Sequence, residues 1–160
     1  MTRRLEIKSL QRKEEIEQAY PLIQSITPEL SLESWLEFAG DIGGTPPTGF
    51  GPCGVVAAQT GRGYIHGLYS YRVEPNLRHG RILDVDNFVA FDLANRWNVA
   101  RNLLEAMDDL AGVHDCKAIH VHLPDRLMRG PVGRQALLEK FRKYGHDMRS
   151  VGLCKEIADA

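Results

Sequence analysis

The chain has 160 residues, of which 43% are hydrophobic and 26% charged, and a formal net charge of −1. Such a length and composition fit one soluble globular domain over residues 1–160. A charge this close to zero supplies no global field toward nucleic acid or a membrane, and a basic cluster at Arg126, Arg129 and Arg134 reads as solvated surface.

Arg4 to Leu10 alternates Leu5 and Ile7 with Glu6 and Lys8, which predicts a first strand. Lys13 to Ile26 places Ile16, Ala19, Tyr20 and Ile23 at helical spacing, with Pro21 expected to interrupt or kink the helix. Ser31 is the expected N-cap of a second helix, whose apolar face is Leu32, Trp35, Leu36 and Ala39. Gly43 to Gly54 ("GGTPPTGFGPCG") reads as a loop within the domain. Gly54–Gln59, Tyr64–Glu74 and Arg81–Asp92 follow as three strands, turned at Thr60–Gly63 and Pro75–Gly80, which makes an antiparallel meander.

The period then changes. Val99, Leu103, Ala106, Met107 and Leu110 predict a helix that stops at Gly112. "KAIHVHLP" alternates Ile119, Val121 and Leu123 with His120 and His122, as a strand does. Pro131 suits the first position of a helix striped by Ala136, Leu137, Phe141 and Tyr144 and closed by Gly145. "DMRSVGLCKEI" reads as a final strand. This order predicts an α/β (α+β) fold with a mixed central sheet.

The cysteines Cys53, Cys116 and Cys154 are odd in number and far apart, so free thiols in a cytoplasmic protein are expected, with Cys116 and Cys154 as buried small hydrophobes. Met1 to Tyr20 is too charged for a signal peptide, and no stretch is long enough to span a bilayer. His120 and His122 share a strand face, but spacing offers no third ligand and no metal is expected.

One stretch poses a chemical question. "DLANRWNVARNLLEAM", from Asp92 to Met107, runs from a strand into a helix. Helix starts of this kind hold phosphate groups on backbone N–H, and they normally use glycine to let the backbone come close. Here the turn has none.

In element order and in two motifs, "VDNFVAFDLANRWNVARNLLEAM" and "LLEKFRKYGHDMRSVGLCKEI", the sequence resembles the Gcn5-related N-acetyltransferase (GNAT) superfamily over nearly its whole length. The resemblance implies a mostly antiparallel mixed sheet flanked by about four helices. Its fourth and fifth strands splay in a V to admit acetyl-coenzyme A, and no metal takes part. The family's pantetheine amides pair with the fourth strand, here Phe88, Val89, Ala90 and Phe91. Its pyrophosphate turn, Q/R-x-x-G-x-G/A, falls on Asn95, Arg96, Trp97, Asn98, Val99 and Ala100, with Asn98 in the middle glycine slot and Arg101 as further positive charge. Asparagine is the non-glycine residue that best tolerates a left-handed turn, which predicts that conformation for Asn98.

The implied reaction is direct attack of a primary amine, on a small molecule or a peptide, upon the acetyl thioester. Asp86 and Asp84 share a strand face and are candidate bases, with His122 as another; Asn87 occupies an often acidic slot without being a base. Where the family often carries a proton-donating tyrosine in its last helix, this chain has Phe141, also expected beside the cofactor, with Tyr144 a turn away as a candidate acid. The alternative is a catalytically impaired binding or interaction module of the same fold with weak or no coenzyme A binding. Trp35, Phe38, Tyr69 and Tyr71 are candidates to line an acceptor cleft, and an open sheet edge or terminal strand offers a route to a homodimer.

Overall fold

Val55, Val56, Ala57 and Ala58 form an unbroken apolar run and all four are buried. A strand apolar on both faces needs cover on both sides, and the rest of the chain supplies it. The computed structural model describes residues 5–42, 50–91, 98–128 and 131–158. Its elements are β1 (Glu6–Ser9), α1 (Lys13–Gln24), α2 (Leu32–Ile42), β2 (Cys53–Gln59), β3 (Ile65–Asn76), β4 (Gly80–Ala90), α3 (Val99–Val113), β5 (Ala118–Val121), α4 (Asp125–Met128) and α5 (Pro131–Lys143). The sheet order is β1-β2-β3-β4-β5, antiparallel except for the parallel pair β4–β5.

Two cores follow from the alternation. Val56, Ala58, Tyr69, Tyr71, Leu83, Val85 and Phe88 face α3 and α5, packing on Leu103, Leu104, Met107 and Phe141. Val55, Ala57, Leu68 and Val89 face α1 and α2, packing on Ile16, Ala19, Ile23, Trp35 and Ala39. Trp35 is locked there by its indole N–H, which donates to the Ile16 carbonyl at 2.7 Å. Ser31 Oγ accepts from the Ser34 N–H at 3.1 Å and starts α2 as expected.

Several expectations need correction. α1 continues without interruption past Pro21; Pro21 and Glu17 are both exposed, so the carbonyl that loses its donor there faces water. β3 runs on through Pro75 to Asn76. α3 passes Gly112 to Val113, and the left-handed residue that ends it is Asp115, at φ 54°. The expected final strand is absent: residues 147–158 form no strand and are exposed throughout, with no partner among the described residues. Apolar alternation alone does not make a strand when no neighbour pairs with it. Cys154, in that segment, is exposed rather than buried. Most of the glycine-rich loop, residues 43–49, lies outside the described residues. No helix among the described residues is long and apolar enough to cross a membrane.

Candidate active site

β4 and β5 share a register from Ile82↔Ala118 to Val85↔Val121. A last bond joins the His122 N–H to the Val85 carbonyl at 2.9 Å. Beyond Val85, β4 continues to Ala90 with no β5 residue beside it. The two strands therefore fork at His122.

At this fork the His122 ring Nε2 lies 2.9 Å from Asp84 Oδ1. The register sets Asp84 opposite His120, and alternation puts Asp84, His120 and His122 on one face of the sheet. It is the face opposite Leu83 and Val85, which turn to the α3 core. The Asp84 carboxylate is three-quarters buried and the imidazole is half exposed. The sequence offered Asp84 and His122 as separate bases; the structure joins them. His120, next to this pair, has its ring edge-on to His79 at 5.7 Å between centroids.

Past the fork lies a β-bulge. Ser70 pairs with Asp86 and Leu68 with Val89, so two steps on β3 match three on β4. The extra residue is Asn87, at φ 54°. Asp86 Oδ1 accepts from the Asn87 N–H at 2.8 Å, while Asn87 Nδ2 donates to Ser70 Oγ at 2.9 Å. Asp86 thus shares the face of Asp84, as its spacing predicted, but its carboxylate holds the bulge. The bulge also changes which way the backbone groups face. Phe91 N–H bonds the His66 carbonyl on β3; counting back by alternation, Val89 also faces β3, whereas the N–H and C=O of Phe88 and Ala90 face the gap. Of the four predicted strand residues, these two turn their backbone groups toward the gap.

Asn98 opens α3 with φ 49° and ψ 47°, the left-handed conformation expected for the glycine slot. Its side chain caps nothing in its helix. The first turn closes when Asn102 N–H reaches the Asn98 carbonyl at 3.0 Å, so the amides of Ala100 and Arg101 precede the helical ladder. The Arg101 side chain turns away to Glu105 at 2.8 Å. Asn95, Arg96 and Trp97 lie outside the described residues. α3 can lie this close to the sheet because of Gly67: a Cβ there would stand 2.6 Å from Val99 Cγ1 and 2.9 Å from the Val89 carbonyl oxygen.

Phe141 is buried in the α3 core with its ring edge-on to Phe88 at 5.2 Å, a contact worth about 1 kcal/mol beyond burial. It ties α5 to the bulge and carries no proton to give. Its other neighbour, the His146 ring at 5.2 Å, has its pKa lowered by burial despite the opposing charge of Asp108. Tyr144 is half-buried beside the same core.

The proposed aromatic cleft does not form as such. Trp35 is buried in the α1–α2 core and Tyr69 and Tyr71 in the other, leaving only Phe38 exposed. Sequence reasoning missed Ser70 and Gly67; an isolated glycine within a strand pattern was the available signal for the latter. Among the described residues no group of three metal-binding side chains occurs.

The sequence matches no family model and no curated protein. Solved structures do match. An aminoglycoside N-acetyltransferase in complex with coenzyme A aligns at TM-score 0.72 and 11% identity, over 96% of this chain and 95% of that one. Glucosamine-6-phosphate N-acetyltransferase from Arabidopsis thaliana aligns at 0.68 and 14%, over 96% and 99%. A transcriptional regulator from Bacillus halodurans aligns at 0.73 and 13%, over 96% and 99%.

Proposed function

We infer, for a chain that has the Gcn5-related N-acetyltransferase fold, that it transfers an acetyl group from acetyl-coenzyme A to a primary amine of a small molecule or peptide. The observation that carries this reading is the His122–Asp84 pair at the fork of β4 and β5. A base is needed at the place where the strands open to admit a thioester, and an imidazole oriented by a carboxylate is such a base.

The gap-facing backbone groups of Phe88 and Ala90 would pair with the pantetheine amides, and the amides at the start of α3 would receive the pyrophosphate. The acceptor amine would approach from the face of Asp84 and His122. His122 takes its proton as the N–C bond forms, the C–S bond breaks, and the electron pair leaves with sulfur. With phenylalanine at 141, the thiolate departs as an anion or takes its proton from Tyr144 or water; thiolates are tolerable leaving groups near neutral pH.

A second reading, a binding module of the same fold, draws on Phe141 and on the transcriptional regulator among the structural neighbours. Calorimetric titration with acetyl-coenzyme A, followed by thiol release in the presence of a panel of primary amines, separates the two. Binding with amine-dependent thiol release is expected. Binding without release under any amine favours the module, and no binding at millimolar ligand removes the acetyltransferase.

A further inference from the structure

The two cores lie on opposite faces of the sheet, and among the described residues one side chain packs against both, that of Leu127. A side chain can touch both faces only where the sheet is interrupted or ends. Leu127 stands five positions past His122, where β5 leaves β4. There β4 runs on from Asp86 to Ala90 with no β5 residue beside it. The open part of the fork is that interruption, and Leu127 bridges it.

The short helix α4 carries it there. Leu123, the residue after His122, stays on the α3 core. The Pro124 carbonyl then accepts the Leu127 N–H at 3.0 Å and opens the single turn Asp125–Met128. From this turn the Arg126 guanidinium donates to the carbonyl of Ser25, the C-cap of α1, at 3.2 Å. A segment that leaves β5 is thereby tied to the helix that covers the face opposite α3. Its ties to α1 and to both cores are slight: one exposed hydrogen bond and one half-buried leucine. A helix of four residues has no stability of its own, and a segment held by so few contacts opens more readily than the sheet beside it.

Resting on the acetyl-coenzyme A reading above, we propose that α4 is a plug in the coenzyme slot: Leu127 competes with the pantetheine arm for the gap between β4 and β5, and the Arg126–Ser25 bond latches it there. The gap is the one toward which Phe88 and Ala90 turn their backbone groups. Its walls are apolar on both sides, Phe88 belonging to one core and Val89 to the other. Leu127 satisfies those walls with its own side chain, and the arm of the coenzyme would do so in its place. The coenzyme therefore binds the form in which α4 has swung out about Pro124. Its apparent affinity is the affinity of that open form scaled by the open fraction. Removing the latch or shortening the plug leaves the backbone of the slot as it is and raises that fraction.

Surface plasmon resonance on the immobilised full chain, Arg126→Ala and Leu127→Ala, with acetyl-coenzyme A in solution, tests this. Arg126 is exposed, so its variant keeps the fold. Both variants are expected to associate at least roughly threefold faster than wild type and to dissociate at the wild-type rate, so that affinity rises, most in Leu127→Ala. Faster dissociation and weaker affinity in Leu127→Ala would make Leu127 a wall of the slot and overturn the plug. Wild-type rates in both variants would overturn it too, while leaving the acetyl-coenzyme A reading in place. Binding by the variants but not by wild type would support the plug in its strongest form. Binding by none of the three would remove the coenzyme, and the plug with it.

Discussion

The His122 ring and the Asp84 carboxylate, 38 positions apart in sequence, meet at 2.9 Å where β5 leaves β4. Nothing local brings them together; the parallel register that sets Asp84 opposite His120 does. Under the acetyltransferase reading, His122→Ala should lower kcat by roughly 10²–10⁴-fold, the usual share of a general base. Acetyl-coenzyme A affinity should stay unchanged, because the ring lies on the acceptor face. Asp84→Asn should cause a smaller loss of kcat. An undiminished rate in His122→Ala assigns the base elsewhere.

Asn98 supplies a second test, since its left-handed conformation costs most side chains roughly 1–2 kcal/mol. Asn98→Gly should melt within a few degrees of wild type and bind acetyl-coenzyme A at least as tightly, with no Cβ at the close approach. Asn98→Val should lose several degrees and weaken binding. Thermal melts and calorimetry on the three proteins read this directly, and a valine variant indistinguishable from wild type would show that the turn does not matter.

These two sites differ in how far the sequence disclosed them. Asn98 was legible because a left-handed turn is a local property with a residue preference, and a resemblance placed it in a glycine slot. The meander was legible for the same kind of reason, from alternation and short turns. The His122–Asp84 contact was not legible as a contact, since it depends on the register of two strands far apart in sequence. The bulge at Asn87 was hidden likewise: it exists only as a mismatch between β3 and β4. The tail shows the opposite failure. Its alternation predicts a strand that the structure does not form, because pairing needs a partner that the sequence pattern does not contain.

Gly67 allows α3 to sit on the sheet, and its replacement should be felt at the site. In Gly67→Ala the new methyl would meet Val99 Cγ1 at 2.6 Å and the Val89 carbonyl oxygen at 2.9 Å. The valine rotamer can yield; the backbone carbonyl cannot without moving β4. Overpacking of this kind costs about 1–3 kcal/mol. Urea denaturation should show that loss, and a wild-type midpoint would mean the helix simply rides outward.

Glu15 links stability to acid. Burial alone would raise its pKa, but hydrogen bonds from Lys8, Arg12 and the N–H groups of Gln11 and Arg12 outweigh it and hold the carboxyl down at about 2. A group depressed on folding stabilises the native state above its unfolded pKa of 4.5 and loses that contribution as pH falls toward 2. The contribution is on the order of 2 kcal/mol. Glu15→Gln should therefore be less stable than wild type at pH 7, and the difference should shrink steadily from pH 4.5 to pH 2. A constant difference across that range would put the effect in packing rather than charge.

The rings of Tyr69 and Tyr71 meet edge to face, 6.5 Å between centroids, in the same core, and their hydroxyls fare differently. Tyr71 Oη donates to the Gly51 carbonyl at 2.7 Å. Tyr69 Oη, fully buried, finds no partner among the described residues, and burial drives its pKa far above the usual range, so it stays protonated. Tyr71→Phe removes a made bond and strands a carbonyl, which costs about 1–3 kcal/mol; Tyr69→Phe removes a desolvated hydroxyl that bonds nothing. The two substitutions should move stability in opposite directions, Tyr71→Phe lowering the melting temperature and Tyr69→Phe raising it by roughly 2–4 °C per kcal/mol gained. A Tyr69→Phe protein that melts below wild type would mean that its hydroxyl is satisfied in solution by a buried water.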